Sequence, residues 1–166
     1  HDVNSWQGTS IELYGDAYKM LTAFTYIFPG MPLLYTGQEY DLNKRLLFFV
    51  KYNFMKKTGQ TMRFLQKLGK LKNTNDALSA GVGRAAYQSL TGLVNMNYGK
   101  ENQIFAFKRT SLKNEVILIA NMSKNYAQFT MNFNGRFKNF SDGKFKKLSD
   151  SYEYVMKPWE FWILLN

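Results

Sequence analysis

The chain's only histidine, His1, stands directly before an aspartate, Asp2. Together they are the one plausible acid–base pair with a patterned neighbourhood, Val3-Asn4-Ser5-Trp6-Gln7-Gly8-Thr9. A nucleophilic triad does not follow, because the sole histidine lies at the free end of the chain. Chemistry that uses paired carboxylates, such as glycoside hydrolysis, needs one acid to protonate the leaving oxygen and a second to attack or to activate water. Asp2, Glu12, Asp16, Glu39 and Asp41 are the candidates, and spacing alone selects none of them.

Other chemistry is excluded by residue type. Cysteine is absent, which removes disulfides, thiolate catalysis and cysteine-rich zinc sites. A single histidine removes multi-histidine metal sites. Flat aromatic faces suit sugar rings, so Trp6 has two readings, stacking on a sugar or packing against its neighbours. Trp159 and Trp162 form a carbohydrate platform or, as we expect, are both buried by a terminal strand. Gly81-Val82-Gly83 is too short for a phosphate loop and reads as a turn. Asn121-Met122-Ser123 and Asn139-Phe140-Ser141 match glycosylation sequons by pattern only.

The elements that carry these residues change character along the chain. Ile11, Tyr14, Tyr18, Leu21, Thr25 and Phe28 recur at helical spacing, which predicts a helix over 10–28, capped by Ser10 and stopped by Pro29-Gly30. The apolar run Met31 to Tyr35 suits a fully buried parallel strand. Leu46 to Val50 fits either a strand or a buried helical turn. Phe64, Leu65, Leu68 and Leu71, with Arg63, Lys67 and Lys70 between them, predict an amphipathic helix over 61–71. Asn73-Thr74-Asn75-Asp76 marks a break. Beyond it the rhythm has a period of two, clearest where Ala127, Phe129, Met131 and Phe133 alternate with polar residues. A hairpin is predicted from Ile104–Arg109 and Glu115–Asn121. Further strands are predicted near 86–90, 93–97, 144–148, 152–156 and 160–165. Short strands divided by Gly, Asn, Asp and Ser turns argue for an antiparallel sandwich, expected to fold as its own unit.

The bulk numbers leave room for such a core. Of 166 residues, 45% are hydrophobic and 17% aromatic, so disorder is excluded by composition. Charges interrupt every apolar run before it reaches the length of a membrane span. Lysine and arginine outnumber acids by 22 to 12, giving a net charge of +10. Such a balance can steer a protein toward polyanions, but the lysines are scattered and no nucleic-acid module accompanies them, so a solvated basic surface and no nucleic-acid partner is the expectation.

The order of segments carries more information than their composition. His1-Asp2 resembles the last two residues of the Asn-His-Asp signature of glycoside hydrolase family 13, the α-amylase family. Val3 to Thr9, the Pro29-Gly30-Met31-Pro32 turn and Tyr35-Thr36-Gly37-Gln38-Glu39 follow in that family's order. Arg45 to Phe49 and Leu68 to Gly81 resemble its approach to and exit from the eighth barrel helix. Phe105 to Arg109, Asn121-Met122-Ser123 and Pro158-Trp159-Glu160 resemble its C-terminal β-domain. The resemblance implies an α/β barrel remnant of about two helices and one parallel strand over 1–75, followed over 76–166 by an all-β antiparallel Greek-key sandwich.

It also implies roles. Asp2 matches the aspartate that binds sugar hydroxyls and stabilises an oxocarbenium-like transition state, His1 matches a histidine that hydrogen-bonds the same sugar, and Trp6 is a substrate-binding candidate beside them. Barrel enzymes place such groups at the carboxyl ends of strands. The family's nucleophilic aspartate, acid glutamate and calcium ligands belong to earlier strands and have no matching positions here. The parent is therefore expected to cleave or transfer α-glucosidic bonds in starch-like glucans or maltooligosaccharides, whereas this chain alone is expected to be inactive, with no cofactor of its own. Amylase, glucosidase and transferase specificities stay open. The resemblance favours a periplasmic or extracellular location over a cytoplasmic one. Without its neighbours, Met31 to Tyr35 is expected to drive self-association or a rearranged N-terminal part. A non-catalytic carbohydrate-binding module and a basic interaction protein are the alternatives from other classes.

Overall fold

The computed structural model describes residues 2–79, 85–96 and 103–166. His1 and the Gly81-Val82-Gly83 turn lie outside the described residues. The chain begins with α1 (Asp2–Trp6), α2 (Ser10–Tyr14), a 3₁₀ turn over Gly15–Ala17 and α3 (Tyr18–Ile27). The single helix predicted over 10–28 is thus divided, and the break falls at Gly15, whose φ of 46° is a left-handed conformation that glycine adopts at little cost. Thr9, not Ser10, caps α2. Its hydroxyl accepts from the Glu12 N–H at 3.1 Å while the Glu12 carboxylate accepts from the Thr9 N–H at 2.8 Å, a reciprocal capping box.

Met31 to Tyr35 does not form the predicted parallel strand. The segment has no regular secondary structure, and Met31 is 86% and Leu33 67% exposed. A buried strand needs partners along its edges, and no described strand lies beside it. Leu46 to Val50 is likewise irregular, with Phe49 fully exposed. Regular structure resumes at α4 (Gln60–Thr74), which buries Leu65 and Leu68 and turns Arg63 and Lys67 to solvent.

Nine strands follow among the described residues: β1 (Ala86–Ser89), β2 (Val94–Met96), β3 (Ile104–Thr110), β4 (Glu115–Asn121), β5 (Ala127–Met131), β6 (Gly135–Asn139), β7 (Phe145–Leu148), β8 (Tyr154–Met156) and β9 (Phe161–Leu165). They build a six-stranded sheet, β1-β3-β4-β9-β6-β7, and a three-stranded sheet, β2-β5-β8, with every pair antiparallel. The chain passes between the two sheets repeatedly, as a Greek-key sandwich requires. β6 is absent from the sequence reading, since Phe137 is its one buried apolar residue and leaves no alternation to detect.

The six-stranded sheet is covered on both faces. Ala106, Ile117, Ile119, Trp162 and Leu164 point into the sandwich, against Phe129, Met131, Tyr154 and Met156. Their neighbours Phe107, Val116, Leu118 and Ile163 point the other way, against Ala23, Tyr26 and Ile27 of α3, Leu65 and Leu68 of α4, and Leu78. That double burial is why β4 reads as a continuous apolar run, Val116-Ile117-Leu118-Ile119-Ala120. A sandwich on its own would leave this outer face as a stripe of uncovered aliphatic and aromatic side chains.

One cation sits in this inner layer. Arg109 of β3 is 3% exposed, and its Nη1 and Nη2 donate to the carbonyls of Ile27 at 3.4 Å and Ser79 at 3.0 Å. Ile27 ends α3, where the helix dipole is negative. Lys72 of α4 reaches the same region and donates to the Gly30 carbonyl at 2.8 Å. Burial holds both cations below their ordinary pKa, and the charge of Arg109 adds to the effect on Lys72. Replacing Arg109 by Ala leaves buried carbonyls without donors, and urea denaturation is expected to register a loss of about 2–4 kcal/mol. Lys72→Ala, at a more exposed position, is expected to cost less than about 1 kcal/mol.

Candidate functional site

Asp2 is the first residue of α1 and is exposed, while Trp6 closes the same helix, 71% exposed, with its ring 5.7 Å from that of Phe48. The helix is held by the segment around Leu46. The Leu46 N–H donates to Asn4 Oδ1 at 2.8 Å, the buried Ser5 hydroxyl donates to the Leu46 carbonyl, and Arg45 Nη2 donates to the Gln7 carbonyl at 3.2 Å. Thr9 and Asn43 add a side-chain hydrogen bond. The loop over 43–46, though irregular, therefore fixes where Asp2 and Trp6 stand.

The remaining sequence-predicted carboxylates separate. Glu12 is held by the cap and by Arg45 Nε at 3.4 Å, and the Thr9 N–H above all keeps its pKa below the usual carboxylate value. Asp16 is exposed in the turn after α2. Glu39 and Asp41 line different clefts. Glu39 faces a cleft of about 820 Å³ walled by Tyr26, Tyr35, Tyr40, Tyr52 and Phe54, and Asp41 a small cleft beside Tyr18, whose phenol burial pushes up in pKa. The turn between them depends on Gly37. Its φ is 85°, and a Cβ there would come within 2.5 Å of Leu42 Cδ2. No two of the five carboxylates meet across a sugar-sized gap in these clefts.

A different cleft, of about 630 Å³, opens where α3 and α4 meet the end of the sandwich. The expectation that both late tryptophans are buried holds for Trp162, 7% exposed, and fails for Trp159, which lines this cleft. Lys157-Pro158-Trp159-Glu160 forms a tight turn closed by the Glu160 N–H on the Lys157 carbonyl at 3.1 Å, with Trp159 at a φ of 57°. Proline second and a positive φ third is the type II pattern, in which glycine is favoured third. Glu160 fastens the turn: one carboxylate oxygen accepts from the Lys157 N–H at 2.8 Å and the other from Trp162 Nε1 at 2.9 Å. Asn121, fully buried, donates to the carbonyls of Lys157 at 2.8 Å and Asn125 at 2.7 Å, so its sequon is a structural asparagine in this fold. A proline followed by tryptophan at a turn was the one available sequence signal for Trp159. No sequence pattern marks Glu160: its partners Lys157 and Trp162 are near in sequence, but only the folded turn brings their N–H groups to its carboxylate.

Among the described residues no group of three or more His, Asp or Glu side chains converges as a metal site. No described helix is long and apolar enough to cross a membrane.

No model of a known protein family matches the sequence, and no curated protein sequence matches it. Solved structures do. A noncanonic maltogenic α-amylase, AmyB from Thermotoga neapolitana, is similar over 98% of this chain with a TM-score of 0.77 and 15% identity. The fold is that of part of an α-amylase. An Anoxybacillus α-amylase gives a TM-score of 0.63 over 90% of the chain at 20% identity, and the α-amylase of Geobacillus thermoleovorans, solved with acarbose, gives 0.62 over 90% at 17%. The chain spans 39%, 32% and 33% of these three amylases. Its two antiparallel sheets correspond to an amylase C-terminal sandwich, and its helices do not close into a barrel. Within this amylase-type sandwich, Glu160→Ala is expected to release both the Lys157 N–H and Trp162 Nε1. Thermal or urea unfolding should show a loss of about 1–3 kcal/mol, together with increased tryptophan emission wavelength as Trp159 loosens.

Proposed function

We propose that this chain is the C-terminal portion of an α-amylase-type retaining glycoside hydrolase acting on α-glucosidic bonds of starch-like glucans. One observation carries the reading: the His1-Asp2, Pro29-Gly30-Met31-Pro32 and Tyr35-to-Glu39 motifs occur in family order on a chain whose fold matches part of an α-amylase over 98% of its length. Structures of the amylase AmyP in complex with maltose and with maltotriose, similar to this chain at TM-scores of 0.62 and 0.60, support a glucan as the substrate class.

In this reading Asp2 contributes the charge that steadies an oxocarbenium-like transition state, His1 holds a hydroxyl of the same sugar, and Trp6 borders the site. The nucleophile and the acid come from earlier barrel strands. An exposed carboxylate alone supplies little, since water screens its charge and no second group protonates the leaving oxygen. Purified 166-residue chain is therefore expected to release no reducing sugar from soluble starch. Joined to the preceding barrel segments it is expected to be active, with Asp2→Asn lowering kcat by about 10²–10³-fold. Turnover by the chain alone would refute the incomplete machinery, and an undiminished Asp2→Asn enzyme would refute the role of Asp2.

The same reading accounts for the exposed apolar side chains of residues 31–55, where Met31, Leu33, Phe49 and Met55 are each more than half exposed. Earlier barrel strands would cover them. Uncovered, such a patch recruits other chains. Light scattering on the isolated chain is expected to give a mass above one chain that rises with concentration, and Phe49→Lys combined with Met31→Lys is expected to lower it. A concentration-independent monomer would contradict this.

A further inference from the structure

We propose that the cleft between α3, α4 and the Trp159 turn is a binding site for an acidic saccharide, separate from the glucan-cleaving role. Four cations line it, Lys19, Arg63, Lys67 and Lys146. Among the described residues none of the four has a carboxylate partner; the ion pairs there are Arg45 with Glu12 and Lys108 with Glu115. Two of the four are steered by rings instead. Lys19 Nζ lies 5.1 Å from the Phe64 ring centre and Lys146 Nζ 3.7 Å from that of Trp162. Cation–π contact orients an ammonium group without neutralising it.

Two acids share the cleft. Glu160 has both oxygens committed to N–H donors, and Asp142 accepts from the Lys144 N–H at 3.0 Å. The balance of accessible charge is positive, which calls for an anionic ligand.

Trp159 calls for a sugar. A bulky side chain in the left-handed region is an outlier that persists only when its surroundings impose it. Here they do, through Glu160 and through the Trp159 N–H on the Ser123 carbonyl at 3.1 Å. The ring is half-buried and lines the cleft. Glycine would satisfy this turn with less strain, so the tryptophan serves the cleft it lines. An aromatic face beside unneutralised cations, with Gln60 and Asn139 among the polar lining groups, suits a ring bearing both hydroxyls and a phosphate or carboxylate.

The test is calorimetric titration of the full chain with maltotriose 6-phosphate and with trigalacturonate, against maltotriose, inorganic phosphate and oligothymidylate. One or both acidic trisaccharides are expected to bind, more weakly as salt is raised, and which of them binds identifies the acidic group. Trp159→Gly and the double change Arg63→Ala, Lys67→Ala are each expected to weaken binding at least tenfold, while Lys113→Ala, on the distant hairpin, leaves it unchanged. Trp159→Gly relieves the left-handed backbone but also removes a half-buried ring. Tm is therefore measured alongside and affinities are compared between folded proteins, with the Arg63→Ala, Lys67→Ala protein leaving the turn intact. Equal binding of neutral maltotriose removes the anionic requirement, and equal binding of inorganic phosphate removes the saccharide. Tighter binding of oligothymidylate makes the site one for nucleic acid. Any of these, or no binding of either acidic trisaccharide, overturns the proposal.

Discussion

Phe107, Val116, Leu118 and Ile163 form one face of a sheet whose opposite face, through Ala106, Ile117, Ile119, Trp162 and Leu164, is already the core of a sandwich. A sheet apolar on both sides is stable only between two covers. The four side chains on the outer face are worth about 1.5–3 kcal/mol each when buried, a sum comparable with the whole stability of an ordinary domain. α3 and α4 are therefore structural necessities for the sheet. Their own apolar residues, Ala23, Ile27, Leu65 and Leu68, have no other place to go. Arg109 is the polar exception in that layer, tolerable because its guanidinium meets backbone carbonyls, one of them at the end of α3.

Other features follow from this layering. α4 gives its apolar side to the sheet, so its basic side must face outward, and Arg63 and Lys67 come to line the cleft that opens beyond the covered region. At the far end of that cleft the chain must turn tightly to enter β9, and Glu160 and Ser123 fix the turn with Trp159 at its corner. The N-terminal stretch over 31–55 lacks any such partner layer. Met31, Leu33, Phe49 and Met55 stay in solvent while Leu46 is buried, and the order of the stretch comes largely from capping and loop hydrogen bonds.

Likeness to α-amylases at 15–20% identity, with no family model matching, is what this physics allows. The pattern of apolar and polar positions specifies layers, and many sequences satisfy the same pattern. Function is stricter than fold, since it rests on particular side chains in particular places. Asp2 stands exposed on a helix held by the 43–46 loop, and the clefts of this chain are built from other residues.

Much was written in the chain itself. The two-residue rhythm of 127–133, the hairpin of 104–121 and the amphipathic pattern of 61–71 are local signals, and each became the element it announced. The order of the His-Asp, Pro-Gly and Tyr-to-Glu motifs was equally legible without coordinates. The failures have a common cause. Met31 to Tyr35 has a strand's composition, but a strand exists only with neighbours, and composition does not carry them. Gly15 broke a helix whose periodicity ran straight through it. β6 forms because β7 and β9 flank it, not because of its own residues. The capping box of Thr9 and Glu12 and the clamp of Glu160 on Lys157 and Trp162 are local contacts that an apolar rhythm does not report, whereas the cleft lined by Trp159 depends on other segments of the chain. Periodicity decides which face of an element is apolar; only the packed chain decides what that face meets, and which side chains are left over to meet a ligand.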